Sequence, residues 1–325
     1  MARARNRCLI IGVILLAGCS INPPLDLGQI AGADTTVLQG VPFYPQLAYE
    51  CGPAALAGVL GASGVTVTPA TLSAQVFLPG RQGSLQVELV AATRRAGRIP
   101  YSVDGTPQAI VAELAAGRPV LVLQNLQTRS VPVWHYAVLV GLDATANRVY
   151  LNSGAEQSMP LAAPEFLRTW DWAGRWALVA LRPGELPAGA QAARYIDAVL
   201  SFEAVAGALA ALPAWEAANR QWPQEPLPYL ALGNGAHASD NLRAAADYYR
   251  RGLQFDPQHS ALTNNLASVL GELGCPRAGE AVLRPVAERQ STDSSWTPVM
   301  AATLADLMAQ VGRDPASCAA LAAKF

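Results

Sequence analysis

Apolar residues fall along the chain in three textures. The first is an unbroken run, Leu9 to Ala17, which follows Arg3, Arg5 and Arg7 and precedes Gly18 and Cys19. A basic start, a short apolar core and small residues before a cut site have the form of an export signal. The run is far below the roughly 20 residues needed to span a bilayer. Residues 1–18 therefore read as a signal, and 19–39, polar with Pro and Gly, as a tether.

The second texture, residues 40–186, mixes two periods. Cys51 to Leu60 predicts a helix with Pro53 in its first turn and Gly61 at its end. Ser84 to Ala96 predicts an amphipathic helix opened by Ser84 and closed by Gly97. Thr106-Pro107 caps a third, ending near Gly117. Strand-like runs follow at Pro119–Leu126, Val133–Gly141, Arg148–Leu151 and Arg175–Leu181, with Asp143–Asn147 as a hairpin turn. Helices followed by a sheet make an α+β domain.

The third texture, residues 190–325, is alanine-rich helix without strands. Leu232, Asp240, Ala245 and Tyr249 recur 34 residues later as Leu266, Gly274, Gly279 and Leu283. Such a period belongs to stacked helical hairpins.

Composition narrows the classes. Only 14% of the 325 residues are charged, against about 25% in an average soluble protein. The net charge is −1, and loss of the three signal arginines leaves 20 basic against 24 acidic groups, or −4. That gives no footprint for nucleic acid. Of the five cysteines, Cys8 leaves with the signal and Cys19 stands at the cut site. In an oxidising compartment the remaining three suggest one pair and one free thiol. Cys275 and Cys318 share the C-terminal part and are a possible disulfide, with two buried thiols as the alternative. Cys51 is then left over as a candidate reactive thiol.

Cys51 lies in Gln46-Leu-Ala-Tyr-Glu-Cys51-Gly52-Pro53-Ala54-Ala55. A cysteine that opens a helix has its thiolate favoured by free amides and the helix dipole. Gln46 can place a side-chain amide beside the sulfur, and with the Cys51 amide this makes two donors for an oxyanion. The domain holds one histidine, His135, at the start of the strand Val133–Gly141; it is the candidate base. A third group should orient it. Asn152 on the next strand and Asp143 in the turn are both candidates. His237 and His259 lack metal-ligand spacing, so no metal site and no cofactor are expected. Trp170, Trp172 and Trp176 are expected in the core or as a groove wall.

Three resemblances attach to these residues. Leu16-Ala17-Gly18-Cys19 resembles the bacterial lipobox, which implies lipidation of Cys19, and Ser20 implies the outer membrane, facing the periplasm. Gln46…Cys51-Gly-Pro-Ala-Ala-Leu with His135-Tyr-Ala-Val-Leu-Val-Gly-Leu-Asp143 resembles the papain-fold cysteine peptidases related to bacteriocin-processing, double-glycine leader peptidases. It implies Cys51 as nucleophile, His135 as base and Gln46 as oxyanion donor, acting on a peptide or protein substrate. Many members carry aspartate where Asn152 stands. Tyr229, Leu232, Gly233, Ala236, Ala245, Tyr249, Gly252 and Pro257 resemble the tetratricopeptide repeat. Tyr195, Phe202, Trp215, Ala218 and Pro223 form a degenerate copy. The expected fold is thus an α+β papain-like domain followed by an all-α tetratricopeptide-repeat solenoid that binds a protein partner. A non-enzymatic adaptor lipoprotein with a degenerate peptidase fold is the alternative.

Overall fold

The structure is a computed structural model that describes residues 24–46, 50–289, 295–310, 314–316 and 318. The export signal and Cys19 lie outside the described residues. No helix among those described is long and apolar enough to cross a membrane.

The N-terminal domain is built on an antiparallel sheet. Its strands are β1 (Thr36–Val37), β2 (Ile99–Ser102), β3 (Val120–Asn125), β4 (Trp134–Asp143), β5 (Arg148–Ser153), β6 (Glu156–Ala162) and β7 (Ala177–Leu181). The order is β2-β7-β3-β4-β5-β6, with β1 paired to β4. The central strands β3 and β7 are buried along their whole length, so both faces must be covered. Alternate side chains serve the two faces. Leu121, Leu123, Tyr136, Val138 and Val140 meet helices α1 (Cys51–Ala62), α2 (Pro69–Val76) and α3 (Gln86–Arg95). Val120, Val122, Ala137, Leu139 and Leu151 meet α4 (Pro107–Ala115) and α5 (Ala163–Asp171) on the other side.

Helix α1 is buried from Gly52 to Leu60. Its small residues let it lie close to the chain around it: a Cβ on Gly58 would stand 3.0 Å from the Pro42 carbonyl and 3.6 Å from Val138 Cγ2. A helix apolar on all sides belongs in the middle of a fold, and α1 takes that place.

Several expectations are corrected. The tether does not extend to residue 39. Leu27, Ile30 and Ala33 are buried in the sheet's core, Leu27 N donates to Asn147 Oδ1 at 3.0 Å, and β1 extends the pairing of β4. Apolar side chains at these positions hold the segment down. Ser84 does not cap a helix: α3 begins at Gln86 after Leu85. Thr106 does cap α4, accepting from Ala109 N at 3.2 Å. The hairpin at 143–147 closes through Ala146 N donating to Asp143 Oδ1 at 2.8 Å.

The C-terminal part is all-α: α6 (Ala192–Ala206), α7 (Ala208–Gln221), α8 (Pro226–Ala238), α9 (Leu242–Leu253), α10 (Ser260–Glu272), α11 (Pro276–Ala287) and α12 (Trp296–Ala309). First helices begin at 192, 226 and 260, and second helices at 208, 242 and 276. Each interval is the 34 residues of the sequence repeat. Small residues sit where helices cross. A Cβ on Gly233 would come within 2.2 Å of the Tyr249 ring, and one on Gly252 within 2.8 Å of Leu262. Cys275 and Cys318 form a disulfide with a Cα–Cα distance of 5.5 Å. His259 Nδ1 accepts from Leu262 N at the start of α10, and His237 pairs with Glu272 at 3.0 Å.

The two parts share one core. Tyr195, Ile196, Val199 and Phe202 of α6, with Ala211, Ala214 and Trp215 of α7, join the cluster that holds Ile99, Leu181 and Trp170. Polar clasps reinforce the join: Arg194 pairs with Asp104, and Ala188 N donates to buried Glu113 at 2.8 Å.

Candidate active site

Helix α1 begins at Cys51 because Glu50 before it has a non-helical ψ of 13° and Pro53 suits a first turn. The sulfur faces the backbone N–H groups of Tyr136, Gly52 and Cys51 itself. Burial opposes these donors and is the larger effect, so the thiol pKa lies above its ordinary value. The helix start does supply amides that favour the thiolate, and burial works against them. Gly52 is glycine for want of room. A Cβ there would lie 2.6 Å from Ser84 Oγ and 2.7 Å from Ser84 Cβ.

Cys51 opens on a cleft of about 760 Å³. One wall is the segment Arg81–Gln86, folded by a bridge between Leu78 and Gly83 and turned by Gln82 at a left-handed φ of 48°. The other is Pro132, Val133 and Trp134. Buried Asn125 holds that wall: its Oδ1 accepts from Gln127 N and Val133 N, and its Nδ2 donates to Thr128 O. No Asp or Glu is among the residues that line the cleft.

His135 lies in the same cleft at the mouth of β4. Burial lowers its pKa below the ordinary imidazole value. Nε2 lies 2.9 Å from Ser153 Oγ. Thiol and imidazole share the cleft with no hydrogen bond joining them among the described residues. Catalytic contacts are often long before substrate binds.

His135 bonds Ser153, and the two residues expected to orient it are bonded elsewhere. Asn152 pairs across the sheet with Val138, and its Oδ1 accepts from Ser158 N at 2.9 Å. Asp143 stands at the opposite end of β4 from His135 and accepts from Thr35 Oγ1 at 3.3 Å. Parity explains the difference. His135 follows Ala137 and Leu139, and Ser153 follows Leu151, all of one face. Asn152 follows Val138 onto the other.

Gln46 ties the site together. Its N donates to Gly154 O at 2.9 Å, its Oε1 accepts from Gly154 N at 3.1 Å, and its Nε2 donates to Tyr136 O at 3.3 Å. One Nε2 hydrogen remains for the cleft. Of the tryptophans, Trp170 is fully buried, with Nε1 donating to Trp176 O. Trp176 packs edge-on to Tyr136, and Trp172 lies under Arg168. No group of three His, Cys, Asp or Glu side chains among the described residues is placed to hold a metal ion.

Sequence reading did not single out Ser153 or Asn125, and it gave Ser84 a helix cap where the structure gives it a place in the cleft wall. Gly154 after Ser153 marked the strand's end, and only pairing register could have separated Ser153 from Asn152.

Residues 38–177 match the model of the Peptidase C39-like family. Among solved structures, the chain is similar to a C39-like peptidase from Bacillus anthracis. The identity is 18% over 46% of this chain and 98% of that one, with a TM-score of 0.39. It is also similar to a double glycine motif protease from an AMS/PCAT transporter in complex with the leader peptide. There the identity is 22% over 45% of this chain and 95% of that one, with a TM-score of 0.36. No curated protein matches. Within the matched segment Cys51, His135 and Gln46 line one cleft, and a thiol, an imidazole and a side-chain amide are the group types that an acyl transfer uses.

Proposed function

We propose that the protein is a lipid-anchored cysteine peptidase of the bacterial envelope, facing the periplasm from the outer membrane. The observation that carries the catalytic part is the meeting of Cys51 and His135 in one cleft of a C39-like domain. His135 takes the Cys51 proton as Sγ bonds to the scissile carbonyl carbon. The oxyanion is held by the Cys51 N–H and the remaining Gln46 Nε2 hydrogen. The C–N bond breaks as His135 gives its proton to the leaving amine. Water, deprotonated by His135, then cleaves the thioester and restores the thiol. Because burial keeps both partners neutral at rest, His135 acts as a general base on a thiol.

Cys19 supplies the anchor in this reading, and the helical hairpins, read as tetratricopeptide repeats, present a surface to a protein partner or substrate. The test is a Cys51→Ala trap expressed in the envelope. It should retain a protein that the unaltered chain releases cleaved, and Cys19→Ala should move the trap out of the membrane fraction. If Cys51→Ala and the unaltered chain retain the same protein and neither cleaves it, the adaptor reading takes its place.

A further inference from the structure

We propose that Ser153, and not Asn152 or Asp143, is the residue that positions His135, with its hydroxyl accepting from Nε2–H so that Nδ1 faces Cys51. The inference rests on the reading of Cys51 and His135 as nucleophile and base. Three observations carry it. Nε2 has Ser153 Oγ at 2.9 Å, and strand parity puts the two side chains on one face. The amide that could compete, Asn152, spends its oxygen on Ser158 N. Ser153 is also held firmly, because the next residue is clamped at both its N–H and its carbonyl by Gln46.

A hydroxyl in this place has a chemical consequence. A carboxylate would stabilise the imidazolium that forms when the thiol gives up its proton; a neutral hydroxyl fixes ring direction and does little for that charge. The other titratable groups that line the cleft are Cys51 of α1, Arg81 of the facing wall and Tyr136 of β4. None is a carboxylate, so nothing in the lining substitutes for one. The site is thereby a positioned base with an uncompensated cation, tuned toward slow, neutral-pair chemistry.

The experiment measures the rate of Cys51 carbamidomethylation against pH in the full chain, read by peptide mass. Ser153→Ala should lower the rate at neutral pH about tenfold, and Ser153→Thr, which keeps the hydroxyl, should restore it. Ser153→Asp should raise the neutral rate and move the profile about one pH unit toward acid. Asn152→Ala should lower the thermal midpoint through loss of the Ser158 contact yet leave the pH profile in place. A profile that follows Asn152 and ignores Ser153 overturns the proposal. So does a Ser153→Ala rate equal to that of the unaltered chain while His135→Ala lowers it; the peptidase reading then stands alone. If His135→Ala also changes nothing, both fall together.

Discussion

Gly52→Ala tests the packing that seats the nucleophile. The new Cβ would stand 2.6 Å from Ser84 Oγ, 2.7 Å from Ser84 Cβ and 3.6 Å from the Tyr136 ring. Carbon contacts are comfortable at about 3.5–4.0 Å, so the 81–86 wall must retreat by about 1 Å. Overpacking of this kind costs about 1–3 kcal/mol. Ala over Gly returns about 1 kcal/mol of helix propensity, leaving a net loss of about 0–2 kcal/mol. The urea midpoint at constant slope reads this directly. The decisive step is the partner. Ser84→Ala keeps the Cβ that clashes and should not rescue, whereas Ser84→Gly removes both atoms and should. A double-mutant cycle should therefore give a coupling of about 1–2 kcal/mol with Gly and near zero with Ala. If Ser84→Gly shows no coupling to Gly52→Ala, or if Ser84→Ala rescues as well as Ser84→Gly, the account of this contact is wrong.

Four further outcomes are expected. In His135→Ala, Cys51 alkylation should titrate above the ordinary thiol value of 9.0, because burial disfavours the thiolate. In the unaltered chain the acid limb of peptidase activity should fall below the imidazole value of 6.5, since burial disfavours the imidazolium and His135 sheds its proton early. Replacing Cys275 and Cys318 by Ala opens a link across 43 residues. The chain-entropy ceiling is about 4 kcal/mol, seen as earlier thermal unfolding of α10–α12 with Cys51 labelling unchanged. Ending the chain at Leu186 strips Tyr195, Ile196, Val199, Phe202 and Trp215 from the shared core. At about 1.5–3 kcal/mol each, that loss rivals a whole domain's stability. The fragment should be protease-sensitive, and one ending at Trp222 should resist.

Much of this architecture is legible where the chain carries local signals. Pro53 and Gly61 bracket α1, Thr106 and Pro107 open α4, and the 34-residue period gives the starts of six helices. The elements that are not legible lack such signals. Strand β2 is four residues with Pro100 inside, tolerable because it lies at the sheet's edge and pairs only with β7. Strand β6 is largely exposed and mixed in pattern. The stretch 24–39 looks like a linker until the groove that buries Leu27 and Ile30 exists.

The site divides in the same way. Cys51, His135 and Gln46 are legible because helix start, strand start and neighbouring amide are local facts. The orienting group is not local. Its identity depends on which face of β5 each residue takes, and a one-residue step exchanges Asn152 for Ser153. The burial of the thiol is not local either: it depends on α1 being covered, which only the folded domain reveals.

The central claim is that His135 activates Cys51 toward a peptide carbonyl. The most direct measurement is the rate at which a peptide-based electrophile labels Cys51, compared between the unaltered chain and His135→Ala at neutral pH. General-base help is worth about 100-fold or more, so the account predicts a single label, at Cys51, slowed by at least that factor when the imidazole is removed. Equal rates in the two chains, or a folded protein whose Cys51 takes no label, would contradict it.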